Sequence, residues 1–313
     1  MSVESTRLAR TRSRELSPTA FRRLAWATAL ALYLIVISGA LVRLTASGLG
    51  CESWPGCEAG SFFPEESHHA WVEFGNRLFS LFPIVLSLAL AVGAWRTAGL
   101  PRWAVWTAVG TFLGTIGQAP LGMVTIYSDL HPLLVLSHFL LALVVLAGAV
   151  VVSVEAWGHE RGWGRPALPL WARPASLVLV AACSVLVVTG TLSTAAGPHS
   201  GGADIRRLGN LVDAVYVHVR ATAVFGVVFA GILVLLWRRR DDVPGIARVA
   251  AALLGVLAVQ MVVGEIQWRS ALPWGVVLFH VALAAAIWAL TVLLAAALWR
   301  TPAPLARTAT PPA

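Results

Sequence analysis

Eight apolar runs alternate with shorter polar segments along the 313-residue chain. Each run holds about 20 or more residues, the length that an α-helix needs to cross the hydrocarbon core of a bilayer. The pattern therefore predicts an all-α integral membrane protein with eight transmembrane helices, at 24–44, 72–95, 103–124, 132–154, 174–194, 212–237, 246–267 and 274–299.

One short pattern occurs twice in these runs, 142 residues apart. Val135–Ala142 reads VLSHFLLA and Val277–Ala284 reads VLFHVALA, with one histidine, His138 or His280, in the same place. The same offset relates further polar and small residues, namely Gln118 to Gln260, Gly122 to Gly264, and Asn76 to His218. We infer two homologous halves, in which the second half has a histidine where the first has an asparagine.

The repeat and the charges together predict the domains and the topology. The chain is 58% hydrophobic and 12% charged, which excludes an ordinary soluble protein. Of its 23 arginines, 17 lie in the two tails and in alternate loops, which suits the positive-inside rule better than a nucleic-acid surface. We predict a multi-pass cell-membrane protein with both termini cytoplasmic, divided into a tail (1–23), a four-helix bundle (24–154), a cytoplasmic linker (155–173), a second four-helix bundle (174–299) and a tail (300–313). Residues 1–23 and 302–313 are expected to be disordered.

His218 and His280 are the strongest candidates for a metal site. Both are predicted near the outer ends of their helices, and His280 lies ~10 Å below the outer boundary at the helical rise per residue. Two imidazoles that face each other across a four-helix bundle can hold a six-coordinate b-type haem iron. The alternative is a pair of hydrogen-bonded core histidines, although ionisable residues inside a membrane are usually functional.

The first half offers His138 but has Asn76 in place of the second histidine, and an amide is a poor iron ligand. A haem held by His138 alone would keep one axial position open for chemistry. Alternatively, Asn76 is an ordinary helix–helix hydrogen bonder.

Charged residues are predicted near the same outer helix ends as these histidines and Asn76. Glu73 shares a helix face with Asn76 and Arg77, so it is either a proton-transfer group or a structural ion pair with Arg77. Arg43, Arg77 and Arg220 lie at outer helix ends, where they suit haem propionates, or else snorkel to the interface. Roles for His199, which closes the loop over the second half, and for Glu265 stay open.

The loop GLGCESWPGCEAG carries Cys51 and Cys57. Its predicted position outside the membrane favours a disulfide between them. That disulfide is either structural or redox-active, since the loop leads directly to Glu73.

The motifs SGALVRLTASGLGCESWPGC and VEFGNR, with the histidines of VLSHF and VLFHV, resemble the haem A synthase family of respiratory-oxidase assembly over almost the whole chain. The resemblance implies two four-helix bundles, a haem b cofactor in the second half and haem O as substrate in the first. It implies oxidation of a methyl group of haem O to a formyl, with an electron acceptor and haem O synthase as partners. Matched residues are His218 and His280 as haem b ligands, His138 as substrate-haem ligand, Glu73 as the essential carboxylate, and the pair Cys51 and Cys57.

Two departures from the family pattern affect the mechanism. Many members have a histidine where this chain has Asn76, so the resemblance does not carry two-histidine ligation of the substrate over to this chain. Some members have a second cysteine pair in the loop after the fifth span, and the loop 195–211 has none. A mechanism that needs both pairs is therefore excluded.

Two other classes of protein compete with this interpretation. A dihaem b-type cytochrome would use the same histidines to carry electrons without substrate chemistry, and would not need Glu73. A solute transporter built from parallel repeats would have broken helices and polar sites at the membrane midplane.

Overall fold

The computed structural model describes residues 15–58, 60–65, 67–166, 168–199 and 205–306. Within them the chain forms eight long α-helices, all apolar enough to cross a membrane. These are α1 (Pro18–Leu44), α2 (His68–Arg96), α3 (Arg102–Tyr127), α4 (Pro132–Arg161), α5 (Ala172–Ala196), α6 (Leu211–Arg238), α7 (Pro244–Arg269) and α8 (Trp274–Trp299). The predicted all-α membrane architecture is confirmed.

The helix starts follow from capping chemistry. The side chains of Ser17, Ser67 and Asn210 accept hydrogen bonds from the first free N–H groups of α1, α2 and α6. α4 and α7, and α1 in addition to its serine cap, have a proline in the first turn, where its missing N–H is not needed. With 25 to 30 residues each, the helices extend beyond the ~30 Å apolar layer at their ends.

Neighbouring helices pack in the same order in each half of the chain. In the first half, α1, α2, α3 and α4 pack consecutively and α4 returns to α1; in the second half, α5 to α8 do the same. α2 and α4, like α6 and α8, therefore lie on a diagonal. α1 and α4 pack against α8, and α4 also packs against α5, which joins the two halves.

Small residues bring α3 and α4 close together. A Cβ atom added to Gly114 would lie 2.6 Å from Val145, and one added to Gly148 would lie 2.6 Å from the Thr111 hydroxyl. Close backbone approach through glycine is typical of helices that pack inside lipid.

The loops at the predicted outer side repeat a backbone conformation. Asp129 and Leu130 follow α3 with φ of 50° and 52°, and Ala271 and Leu272 follow α7 with φ of 58° and 60°. These left-handed residues are 142 positions apart, the same offset that relates the histidines. The repeat thus extends to the backbone of two uncommon turns.

The segment after α8 corrects one expectation. Residues 302–306 were expected to be disordered, but they form a 3-10 turn, Ala303–Leu305, with Leu305 buried. Gly164 N–H donates to the Thr301 carbonyl (2.9 Å) and Ala303 N–H donates to the Gly162 carbonyl (2.9 Å), so this segment pairs with the linker. Hydrogen bonds and burial supply the ordering that the Pro- and Ala-rich composition did not suggest. The N-terminal tail is corrected as well, because residues 18–23 belong to α1 and Phe21 is buried, so packing orders a stretch whose arginines suggested a free tail. Residues 1–14 and 307–313 lie outside the described ranges.

Candidate functional site

The two imidazoles of the second half face each other. The ring centroids of His218 on α6 and His280 on α8 are 6.5 Å apart and their planes are inclined by 66°. Two metal–nitrogen bonds of about 2.0–2.1 Å, with half a ring at each end, span roughly 6 Å. The spacing therefore fits one metal ion between the two rings.

Two glycines make room for these rings. A Cβ atom on Gly190 of α5 would lie 3.0 Å from the Cε1 atom of His218, and one on Gly264 of α7 would lie 3.4 Å from Cε1 of His280. Thr189 shares a hydrogen bond of 3.2 Å with Nδ1 of His218. A histidine whose Nδ1 is held in this way presents Nε2 to a ligand.

The first half contains a cavity of about 590 Å³. His138 on α4 lines it, and Gly122 on α3 clears space for that ring as Gly264 does for His280, with a Cβ at 3.4 Å. Its lining also includes Glu73, Asn76, Arg77, Arg43 and Gln118. Most of the remaining lining is apolar, which suits a large planar group that carries few polar atoms.

Several buried polar atoms at this level lack a partner among the described residues. They are Nδ1 of His138 and His280, Oε1 of Gln118 and Gln260, and Nε of Arg77. Buried polar groups are normally paired, so unpaired ones at equivalent places in both halves are typical of ligand sites. Gln118 also donates through Nε2 to the carbonyl of His138 (3.2 Å) and so connects α3 to the histidine turn.

Glu73 and Arg77 form an ion pair with a distance of 2.5 Å and tie the cysteine loop to α2. Glu73 is buried, and its second carboxylate oxygen accepts from the Cys51 N–H (3.0 Å). Arg77 donates to the carbonyls of Ser53 (2.7 Å) and Gly56 (2.5 Å). The pair therefore has a structural task in addition to lining the cavity.

Cys51 and Cys57 are joined by a disulfide, as expected, and both are buried. The loop that they close reaches the cavity through Trp54 and Pro55. Cys183 is a buried free thiol in α5, far along the chain from the pair.

The arginines predicted for propionates occupy different environments. Arg43 lines the cavity and donates to the carbonyls of His199 (2.8 Å) and Thr194 (3.2 Å). Arg220 lies on α6 two residues after His218, is exposed and stacks on the Tyr216 ring, 4.0 Å from its centroid. Its assignment to a propionate of the second-half haem stays a prediction.

His199 and Glu265 occupy structural positions. His199 shares a hydrogen bond with the Leu272 carbonyl (2.7 Å), which connects the α5–α6 loop to the α7–α8 turn. Glu265 pairs with Arg269 (2.5 Å), and both side chains are exposed.

The sequence did not predict the two hydroxyl residues of α1 and α5 that contact Asn76 and His218. Ser38 donates to the Asn76 carbonyl oxygen (2.7 Å), and Thr189 plays the corresponding part at His218. The dipeptides Ser38-Gly39 and Thr189-Gly190 are 151 positions apart rather than 142, because the α1–α2 loop has 23 residues and the α5–α6 loop has 14. A search that allowed this difference would have found them.

Fold and site together define a polytopic membrane protein with a facing histidine pair in one half and a histidine-lined cavity in the other. A family model described as COX15-CtaA, cytochrome oxidase assembly protein, matches residues 22–67 and 62–292. The chain belongs to this family.

Named relatives agree with this assignment. A "Heme A synthase" of Bacillus licheniformis is 34% identical over 128 residues, which cover 41% of this chain and 42% of that protein. One of Symbiobacterium thermophilum is 28% identical over 286 residues, covering 86% of this chain and 92% of that protein. A "Protoheme IX farnesyltransferase" of Chloroflexus aurantiacus is 27% identical over 221 residues, 69% of this chain but 30% of that protein.

Proposed function

We propose that the chain is a haem A synthase, an oxidoreductase that converts a methyl group of haem O to a formyl. The observation that supports this most is the asymmetry between the halves: a closed pair of histidines in one, and a single histidine in a cavity of about 590 Å³ in the other. One half suits a resident electron-transfer group and the other suits a substrate. Family membership and the names of the relatives point to the same reaction.

His218 and His280 would hold the resident haem b. When bound, this haem would store and pass on single electrons, because two histidine ligands leave no position for substrate. Thr189 would fix the orientation of the His218 ring through its hydrogen bond to Nδ1. Gly190 and Gly264 leave room for the rings of His218 and His280.

The first-half cavity would hold haem O, with His138 as iron ligand. The conversion of a methyl to a formyl group removes two hydrogen atoms, adds one oxygen atom and withdraws four electrons in total. It therefore needs a source of the oxygen atom, such as water, and an acceptor for the four electrons, in addition to the protein. Arg43 and Arg77 lie at the cavity wall, where a cation can meet a propionate.

Glu73 is the proposed catalytic carboxylate of the first half. Its side chain lines the cavity beside Asn76, so it can accept a proton released as the methyl group is oxidised. The bond to the Cys51 N–H and the pair with Arg77 hold the carboxylate in place. In this proposal the structural contacts position a group that also acts on substrate.

We further propose the division into two bundles, 24–154 and 174–299, both termini in the cytoplasm, and the cell membrane as location. The packing order of the helices and the arginine-rich inner loops support these assignments. The relative named as a protoheme farnesyltransferase supports haem O synthase as a partner that supplies the substrate. A dihaem cytochrome without substrate chemistry would need neither Glu73 nor the difference between the halves, in which Asn76 stands where the second half has His218.

The test is pigment analysis of membranes after co-expression of the chain with a haem O synthase in a host that makes no haem A. Haem A should be extractable from cells with the intact chain and absent from cells with the haem O synthase alone. Accumulation of haem O without any haem A, in cells that contain folded chain with bound haem, would overturn the proposal.

A further inference from the structure

Asn76 occupies in the first half the position that His218 occupies in the second. Asn76 lies on α2 and His218 on α6, 142 residues later, and each is held by a hydroxyl of the preceding helix, from Ser38 or Thr189. The partner histidines, His138 and His280, lie on the diagonal helices α4 and α8. Asn76 therefore faces the cavity from the side opposite His138.

Gly190 lies beside His218 and Gly39 lies at the equivalent place beside Asn76, but the space around the two glycines differs. A Cβ on Gly190 would lie 3.0 Å from the His218 ring, whereas a Cβ on the equivalent Gly39 would meet no atom within 4 Å. The space that an imidazole fills in the second half thus stays free in the first, and Gly39 lines the cavity.

The two polar groups of the Asn76 amide differ in their hydrogen bonding. Its Oδ1 accepts the hydrogen bond from Ser38 (2.7 Å), and within the described residues its Nδ2 group donates to no protein atom. The other polar side chains nearby are engaged: Glu73 and Arg77 bind each other and the cysteine loop, and Gln118 binds the His138 carbonyl. Asn76 Nδ2 is therefore an uncommitted donor at the cavity wall, together with Nε of Arg77, whose other nitrogens bind Glu73 and the cysteine loop.

We infer that Asn76 is a hydrogen-bond donor beside an open coordination position of the substrate iron, and that Ser38 orients it. An amide nitrogen has no lone pair free for iron, so only His138 would ligate the metal from the protein. The open position takes a small neutral ligand whose outer atom accepts a hydrogen bond from Nδ2. This inference rests on the proposed function, because it concerns the iron of haem O in the first half.

Carbon monoxide is the probe, since it binds reduced five-coordinate haem iron directly, whereas at a six-coordinate iron it must first displace a ligand. Purified full-length protein is loaded with haem O, reduced, and exposed to carbon monoxide. We expect the intact protein to give a carbon monoxide difference spectrum, and N76H to lose it and become low-spin, because the new imidazole enters the space beside Gly39. Absence of carbon monoxide binding to the loaded intact protein would overturn the open position. An N76H protein whose haem O stays high-spin would overturn the placement of residue 76 beside it.

The infrared stretch of bound carbon monoxide tests the hydrogen bond separately. A donor near the ligand oxygen lowers this frequency, so N76L, which keeps the size of the side chain, should bind carbon monoxide with an upward shift. S38A should give a smaller upward shift and T189A, its second-half counterpart, none. An unchanged frequency in N76L would overturn the donor role.

Haem extraction separates this inference from the proposed function. Production of haem A by a protein that binds no carbon monoxide would refute the inference alone. Carbon monoxide binding at a haem O that is never converted to haem A would refute the proposed reaction alone.

Discussion

Glu73 offers a clean comparison at the scale of single residues, because the chain contains a matched carboxylate. Glu73 pairs with Arg77 and Glu265 pairs with Arg269, both four residues apart and both at 2.5 Å, but only Glu73 is buried and lines the cavity. We predict that Glu73→Gln lowers haem A formation by roughly 10²-fold, as expected for loss of a proton-transfer group. Haem O or a partly oxidised product should accumulate while haem b content stays normal, measured by chromatography of extracted haems.

Glu265→Gln is the control and should leave the haem A yield unchanged. A normal yield from Glu73→Gln would refute the catalytic role. Loss of haem b together with loss of folded protein would show instead that Glu73 serves only the ion pair and the Cys51 contact.

Absorption spectra of alanine variants should distinguish the role of His138 from that of His218 and His280. Changing His218 or His280 to alanine should remove most of the low-spin haem b signal, because each provides one of the two facing rings. His138→Ala should keep that signal and lose haem A formation. Equal loss of low-spin haem from all three variants would contradict the assignment of separate tasks to the two halves.

Two glycines give a further pair of variants. Gly190→Ala would place a methyl group 3.0 Å from the His218 ring and should displace that ligand, with a measurable decrease in low-spin haem b. Gly39→Ala, at the equivalent place on α1, meets open space and should leave haem b unaffected. Matching spectra for the two variants would show that Gly190 does not govern the position of the ring.

The sequence identified the polar residues of α2, α3, α4, α6, α7 and α8 because one constant offset of 142 relates them. It did not identify Ser38 or Thr189, since serine and threonine inside apolar helices usually bond to their own backbone and give no signal by themselves. Nor did it show that Glu73 contacts the Cys51 N–H, because the path of a 23-residue loop depends on tertiary packing.

At the scale of helices, the apolar runs predicted all eight long helices but not their full lengths. α4 continues to Arg161, seven residues beyond the predicted span, and α1 begins at Pro18, six residues earlier. These extensions carry the polar residues Arg22 and Glu160, which pair with each other at the predicted cytoplasmic surface. Helix propagation does not stop where the lipid ends, and hydropathy reports only the apolar part.

The ordered segment after α8 predicts a stability effect without a functional one. Leu305 is buried against Gly245 at the start of α7, so Leu305→Ala should lower the free energy of unfolding by ~2 kcal/mol or more. Thermal unfolding followed by circular dichroism should show this as a lower Tm, with an unchanged haem spectrum. Leu170→Ala, at a leucine that is 86% exposed, should have no effect.

At the scale of the whole molecule, the orientation in the membrane can be tested with introduced cysteines. The native thiols are silent, because Cys51 and Cys57 form a disulfide and Cys183 is buried. Glu65→Cys lies in the α1–α2 loop and Leu170→Cys in the linker, and both positions are exposed. In intact spheroplasts an impermeant maleimide should label Glu65→Cys only, and Leu170→Cys after lysis. The reverse pattern would invert the topology.

Side chains from each half donate hydrogen bonds to main-chain carbonyls of the other. Tyr33 of α1 donates to the Ala282 carbonyl (3.1 Å) and Trp288 of α8 donates to the Leu143 carbonyl (2.8 Å). Arg43 donates to the Thr194 carbonyl (3.2 Å) in the last turn of α5. A carbonyl oxygen is present whatever the side chain, so substitutions in the accepting half do not remove it. The side chains of one half can therefore change during evolution without removing the carbonyls that the donors of the other half bind. Chimeras that join the first half of one relative to the second half of another should dock wherever these donors are kept.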